Sequence, residues 1–171
     1  ESKARRMLPA EVVARRFHIT AERMVETWTL LAMGGVHSST IGVQGHYANV
    51  LAALFIATGQ DAACVAESSV GVTRLEARRR ADGTADLYAS VSLPGLVVGT
   101  VGGGTGLPSQ RAALAIIGLD QPATEIGFAA MALAELTGVA CLGGELSIIG
   151  ALAAGDFAQA HQRLARERQS G

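Results

Sequence analysis

Residues 99–105 read Gly99-Thr100-Val101-Gly102-Gly103-Gly104-Thr105, directly after the apolar run Leu96-Val97-Val98. Three consecutive glycines strip every Cβ from a short stretch of backbone. That permits positive φ angles and lets a flat ligand or a phosphate approach bare amides. On its own such a triplet reads as a tight loop. Here it has company. Gly45-His46-Tyr47-Ala48-Asn49 and Thr58-Gly59-Gln60-Asp61-Ala62-Ala63 lie upstream. Gly143-Gly144-Glu145-Leu146-Ser147 and Ala151-Leu152-Ala153-Ala154-Gly155 lie downstream, followed by His161. Polar residues suited to acid–base work thus sit among glycine- and alanine-rich turns in four separate places.

A chain of 171 residues suits one domain with a core of its own, residues 1–171. With 21 glycines and only 4% aromatic residues, that core must be built from Ala, Val, Leu and Ile, with close approach wherever Gly and Ala meet. The formal net charge of −1 gives no global electrostatic pull toward nucleic acid or an acidic membrane. Basic residues cluster at Lys3-Ala4-Arg5-Arg6, Arg15-Arg16 and Arg163 to Arg168. Such clusters read as solvated faces, with a grip on a polyphosphate as the alternative. Cys64 and Cys141 lie in apolar surroundings without CxxC spacing. They read as small core residues in a reducing compartment, which predicts a cytoplasmic protein. The richest apolar region, Ile126 to Ala154, is broken by Glu135, Glu145 and five glycines, so no membrane span is expected there. No signal peptide is visible, and a chain that begins at Glu1 is expected to be processed, trimmed or incompletely represented.

Hydrophobic periodicity orders the chain. Pro9 suits the first turn of a helix to Phe17, with Val12 and Val13 inward. Thr20 suits the N-cap of a helix over Ala21 to Met33, stopped by Gly34-Gly35. A loop over residues 36–45 precedes a helix from about His46 to Thr58, ended by Gly59. Asp61 suits the N-cap of a short helix, Ala62 to Glu67. The period then changes to two. Val70 to Ala77 and Leu87 to Leu93 alternate around the turn Ala81-Asp82-Gly83-Thr84, which predicts two paired strands. A short strand is expected over Leu96 to Val101. Helices are expected at about Ser109 to Ile117, Pro122 to Thr137, Gly144 to Ala153 and Phe157 to Arg168. Helices, then strands, then helices predicts an α+β fold, with helices packed on a small, mainly antiparallel sheet.

Three long segments carry a resemblance. GHYANVLAALFIATGQDAA, DLYASVSLPGLVVGTVGGGT and GGELSIIGALAAGDFAQAH stand in this order over roughly residues 35–161. Together they resemble the C-terminal part of the catalytic large domain of class I hydroxymethylglutaryl-CoA (HMG-CoA) reductase. The resemblance implies that large-domain fold. It implies the reduction of HMG-CoA to mevalonate and CoA with NADPH and no metal, in a site at a dimer interface.

It also gives roles to residues that read blandly by themselves. Asp61 reads alone as an N-cap; the resemblance makes it the catalytic aspartate, which bonds a lysine and keeps a neighbouring glutamic acid protonated. His161 reads alone as an exposed helix residue; the resemblance makes it the acid that protonates the departing CoA thiolate, a task its ordinary pKa suits. His46 and Asn49 lie one turn apart on one helix face. They match substrate-binding residues, as Ser147 matches a residue near the thioester and pantetheine. Gly102, Gly103, Gly104 and Thr105 match the loop against the nicotinamide. The resemblance implies that Asp61, His46 and His161 converge near Asn49.

The departures are as informative. The family's catalytic glutamate and lysine, and the inserted small domain that binds most of NADPH, have no match here. No Lys or Arg stands between Arg23 and Arg74, where a further active-site lysine is expected. Ala160 replaces the serine that precedes the histidine in animal enzymes, and Glu167 replaces their phosphorylatable serine. Three readings follow for an acyl-CoA-type small molecule. The chain is a piece of a longer reductase, one subunit of a split reductase whose partner chain supplies Glu and Lys, or a homologue doing redox-free acid–base chemistry with Asp61 and His161. A non-catalytic scaffold is a fourth. A homodimer or larger homo-oligomer is expected, because the Ala/Gly-rich helices present close-packing faces; neither nucleic acid nor membrane is expected as a partner.

Overall fold

The computed structural model describes residues 1–120 and 127–155. Three strands form one antiparallel sheet in the order β1-β3-β2: β1 is Ser2–Leu8, β2 is Val72–Arg79 and β3 is Ala85–Leu93. The alternation read in the sequence is the sheet's two-sidedness. Ala85, Leu87, Ala89, Val91 and Leu93 of the central strand are buried against helices. Their neighbours Asp86, Tyr88, Ser90 and Ser92 lie on the outer face, where Arg74 and Arg78 both pair with Glu76. Six helices accompany the sheet: α1 Ala10–Phe17, α2 Ala21–His37, α3 Tyr47–Thr58, α4 Val65–Ser68, α5 Pro108–Ile116 and α6 Phe128–Ala154. The α+β expectation holds, and the core joins Met24 and Trp28 of α2, Leu51 and Phe55 of α3, Leu87 and Leu93 of β3, and Cys141 and Ile149 of α6.

Several local signals act as read. Thr20 caps α2 by accepting from the Arg23 N–H at 3.2 Å. Gly59 closes α3 in the left-handed conformation, at φ 73°. Asp61 accepts from the Ala63 N–H at 2.9 Å and caps a 3-10 turn, Ala62–Cys64, that leads into α4.

Three expectations are corrected, and one strand was not foreseen. The Lys3-Ala4-Arg5-Arg6 cluster keeps its cations exposed, as read, but it lies within β1, an edge strand. Ser2 and Ala4 point inward while the cations flank them, and Ser2 Oγ donates to the Ala134 carbonyl of α6 at 2.7 Å. The segment Leu96 to Val101 forms no strand, because Gly99 finds its partners in a side chain, that of Gln60, rather than in a neighbouring strand. Helix α2 runs through Gly34-Gly35 to His37, and the Ser38 N–H then closes it on the Gly34 and Gly35 carbonyls. Residues 128–154 form one helix instead of two. Its glycines do not stop it, and three of the four, Gly138, Gly144 and Gly150, lie where other elements come close. A Cβ at Gly138 would collide with Ser2, and one at Gly144 would stand 2.7 Å from Val50 Cγ2 and 3.1 Å from His46 Nδ1.

This continuity also revises the membrane reading. By length and composition α6 is apolar enough to cross a bilayer, with a mean hydropathy of 1.6 over its best window. Yet Leu133, Cys141, Glu145 and Ile149 of α6 are fully buried within the fold, as in a core helix. The expected helix over Phe157 to Arg168, and residues 122–126 of the helix expected from Pro122, lie outside the described residues.

Candidate active site

Helix α3 carries a cluster at each end. At its C-terminal end, the Gly59-Gln60-Asp61 turn is clamped to the glycine loop. Gln60 Nε2 donates to the Gly99 carbonyl at 2.8 Å, and the Gly99 N–H donates back to Gln60 Oε1 at 2.7 Å. The same Nε2 donates to the Thr58 carbonyl at 3.0 Å. This two-way pairing substitutes for a rung of a sheet ladder, across 39 residues of sequence. Beside it the two backbones touch. A Cβ on Gly59 would stand 2.5 Å from the Gly104 carbonyl carbon, so only glycine fits. Asp61 is thereby held next to the loop that holds Gly102 to Thr105. Its carboxylate is exposed and engaged only at Oδ1 among the described residues.

The loop itself is tied down from within. Thr105 is buried, and its hydroxyl donates to the Gly102 carbonyl at 2.6 Å. Gly102 and Gly103 stand at φ 82° and 55°, and nothing lies within 4 Å of where their Cβ atoms would be. The bare backbone there leaves room for a flat ring.

The second cluster lies beneath the N-terminus of α3. Glu145 of α6 is fully buried. Its two oxygens accept from the Gly45 N–H at 3.1 and 3.0 Å, and the His46 N–H also points at it. Thr73 Oγ1 of β2 lies 2.7 Å from Glu145 Oε2 and 2.9 Å from the Tyr47 hydroxyl. Each hydroxyl has one proton. Tyr47 donating to Thr73, and Thr73 to the carboxylate, satisfies all three groups. Burial pushes the Glu145 carboxyl above the usual carboxylate range, while the Thr73 hydroxyl and the two N–H groups pull it back. Burial likewise raises the Tyr47 phenol, and it pushes the nearby Cys141 thiol up to about 12.

The sequence-named residues divide between these clusters. Asp61 stands two residues beyond Gly59, which packs on Gly104 and Thr105 of the glycine loop. His46 and Asn49 sit at the other end of α3, whose 12 residues span roughly 18 Å. The expected convergence of Asp61 with His46 is therefore not made within one copy of the chain. Ser147 is exposed on α6, about 200° around the helix from Glu145 by the helical period, so it does not join His46 across that face. His161 lies outside the described residues. Sequence reading missed Glu145, Gln60, Tyr47 and Thr73 as parts of these clusters. Glu145 did leave a signal: one acid deep in a long apolar helix, beside a glycine pair, has to be buried against donors.

Comparison with known proteins agrees with the sequence resemblance. The hydroxymethylglutaryl-coenzyme A reductase family model matches residues 1–166. A 3-hydroxy-3-methylglutaryl-coenzyme A reductase of Haloferax volcanii is 44% identical over 160 residues, covering 93% of this chain and 38% of that protein. Its counterpart in Aeropyrum pernix is 48% identical over 134 residues, covering 78% of this chain and 31% of that protein. Reductase 1 of Arabidopsis thaliana is 40% identical over 163 residues, covering 94% and 27%. The chain thus spans about a third of the length of the curated relatives it matches. On its fold, its glycine-loop geometry and this similarity along almost its whole length, the chain belongs to the hydroxymethylglutaryl-coenzyme A reductase family.

Proposed function

We propose that this chain takes part in the NADPH-dependent reduction of HMG-CoA to mevalonate and CoA, together with polypeptide that supplies the glutamate, the lysine and most of the cofactor site. The observation that carries this reading is the Gln60 clamp, which ties an exposed carboxylate to a Cβ-free loop. An enzyme that moves a hydride next to a proton relay needs those two parts at fixed separation. NADPH, when bound, supplies the hydride. In this reading the backbone of Gly102 and Gly103 carries the nicotinamide face, and Gln60 keeps the loop from drifting. Asp61 meets a cation and a neighbouring carboxyl, and that carboxyl then holds the proton needed at the carbonyl oxygen. His161 protonates the leaving thiolate, whose own pKa is about 8.5 for a simple thiol.

The reading includes a homo-oligomer whose sites form between copies. Asp61 and His46 stand at opposite ends of α3, so a second copy is the economical way to bring such groups to one substrate. Apolar side chains left open also support an assembly: Phe128, Met131 and Val139 on α6, and Leu30 and Val36 on α2, are all more than half exposed. The relatives named above are all reductases, so the redox-free and scaffold alternatives gain nothing from them.

The test is complementation. The chain alone should show no HMG-CoA-dependent loss of NADPH absorbance. Co-expressed with the N-terminal two thirds of the Haloferax volcanii relative, it should turn over. Asp61→Asn should abolish that turnover and Gln60→Ala should reduce it. Turnover by the co-expressed pair that survives Asp61→Asn unchanged would overturn the proposal.

A further inference from the structure

Glu145 is a carboxyl group with no Lys or Arg partner among the described residues, buried about two thirds of the way along a 27-residue helix. A buried charge of this kind costs several kcal/mol unless it is fully hydrogen-bonded. Its donors show what it does. One is the backbone N–H of Gly45, and the His46 N–H stands close by; both residues lie just ahead of α3. The first N–H of the helix itself, that of Tyr47, donates to Gln44 Oε1 at 3.0 Å. His46 makes no side-chain cap of its own. Glu145 therefore ties the turn that enters α3 to another helix, 100 residues away in sequence.

The residue before it acts on the same histidine. The missing side chain of Gly144 leaves room for Val50 and the His46 ring of the α3 segment, whose Cγ2 and Nδ1 would lie 2.7 and 3.1 Å from a Cβ there. That Nδ1 is buried and has no hydrogen-bond partner among the described residues. Nε2 is not among the buried unpartnered atoms and makes no hydrogen bond among the described residues, so it faces outward. These facts choose a tautomer. An N–H buried without an acceptor is rarer and costlier than a lone pair buried without a donor. The neutral ring therefore keeps its proton on Nε2.

We propose that Gly144 and Glu145 form a positioning pair that fixes His46 as an Nε2–H donor at the start of α3. Glu145 holds the backbone of Gly45 and His46, and Gly144 seats the ring. His46 then offers a hydrogen bond to an acceptor, a carbonyl or carboxylate oxygen of the bound molecule. It does not receive one from a hydroxyl or amide there. The proposal rests on the reading of His46 as a ligand-facing residue. Its test does not depend on turnover.

The experiment is long-range proton–nitrogen NMR on the whole chain labelled in histidine, at a pH where imidazoles are neutral. His46→Gln assigns the His46 signals, and His18 and His37 serve as internal references. In the wild type His46 should be the single Nε2–H tautomer. In Glu145→Gln, whose amide cannot accept from all three donors, it should become a mixture of tautomers. Amide exchange at Gly45 and His46 should quicken by about tenfold, the loss of roughly one hydrogen bond. Gly144→Ala, which leaves the carboxylate in place, should shift the ring signals without quickening exchange at Gly45. A wild-type ring carrying its proton on Nδ1 overturns the proposal, even if Glu145→Gln fails to fold. So does a folded Glu145→Gln chain with the wild-type tautomer and exchange rates. A failed complementation assay with the expected tautomer would count against the reductase reading and leave this one standing.

Discussion

Gly59→Ala separates two contributions at the joint between Asp61 and the glycine loop. The first is backbone conformation. Gly59 stands at φ 73°, and an L side chain in that region costs about 1–2 kcal/mol. The second is contact. The new methyl would sit 2.5 Å from the Gly104 carbonyl carbon, 2.6 Å from its oxygen and 2.7 Å from the Thr105 nitrogen. All are backbone atoms, so no side-chain rotamer relieves the overlap. The loop has to retreat by roughly 0.9 Å to restore ordinary contact, and overpacking of this kind costs about 1–3 kcal/mol. Gly83→Ala supplies the control. Gly83 stands at φ 85° in the β2–β3 turn with nothing within 4 Å of its Cβ position, so it reports the conformational part alone. Any gain from a stiffer unfolded chain is common to both variants. Urea unfolding followed by circular dichroism should show Gly59→Ala less stable than Gly83→Ala by about 1–3 kcal/mol, at similar m-values. In the complemented reductase a displacement near 1 Å should lower turnover by about 10²-fold. Equal losses of stability in the two variants would refute the claim that the Gly59–Gly104 contact is tight and holds the loop.

Two further outcomes follow from the buried groups. Glu145 titrates higher in the folded chain than in the unfolded one, so the native state binds its proton more tightly. Its contribution to stability is then full below the ordinary carboxyl pKa, about 4.3, and is lost as the pH rises through the raised native value. Unfolding of wild type and Glu145→Gln across that window should differ in slope, with the wild type losing stability relative to the variant as pH rises; parallel curves would contradict the sign. Cys141 is fully buried with its thiol pushed up to about 12, whereas Cys64 is half-buried at the start of α4. Ellman's reagent should therefore label one thiol per native chain and two in denaturant, and rapid labelling of both in the native chain would contradict the burial of α6 against the sheet.

Family and class were legible because they are written in contiguous residues. The period-two alternation of 85–93 produces a strand with one buried face in any context that buries that face. Thr20, Gly59 and Asp61 act within three residues of where they stand, so their roles as caps could be read directly. Asp61 and the glycine loop were singled out through the three long matching segments. What escaped the sequence depends on contacts far along the chain. Ser2 meets Ala134 across 132 residues and turns a basic run into an edge strand. Gly138 and Gly144 look like helix breakers by propensity, which disfavours each by about 1 kcal/mol. They are instead places where Ser2 of β1 and Val50 of α3 approach α6 too closely for a side chain, with His46 beside Val50. Glu145 reads as a polar interruption of an apolar run, yet its partners Gly45 and Thr73 lie 100 and 72 residues away. By itself, then, the sequence determined the elements, their caps and the family. Only the tertiary structure decided which glycines are contacts and where a buried charge finds its donors. The physical reason is range: propensity and periodicity act over a turn or two of chain, whereas desolvation and close packing depend on what the completed fold puts alongside.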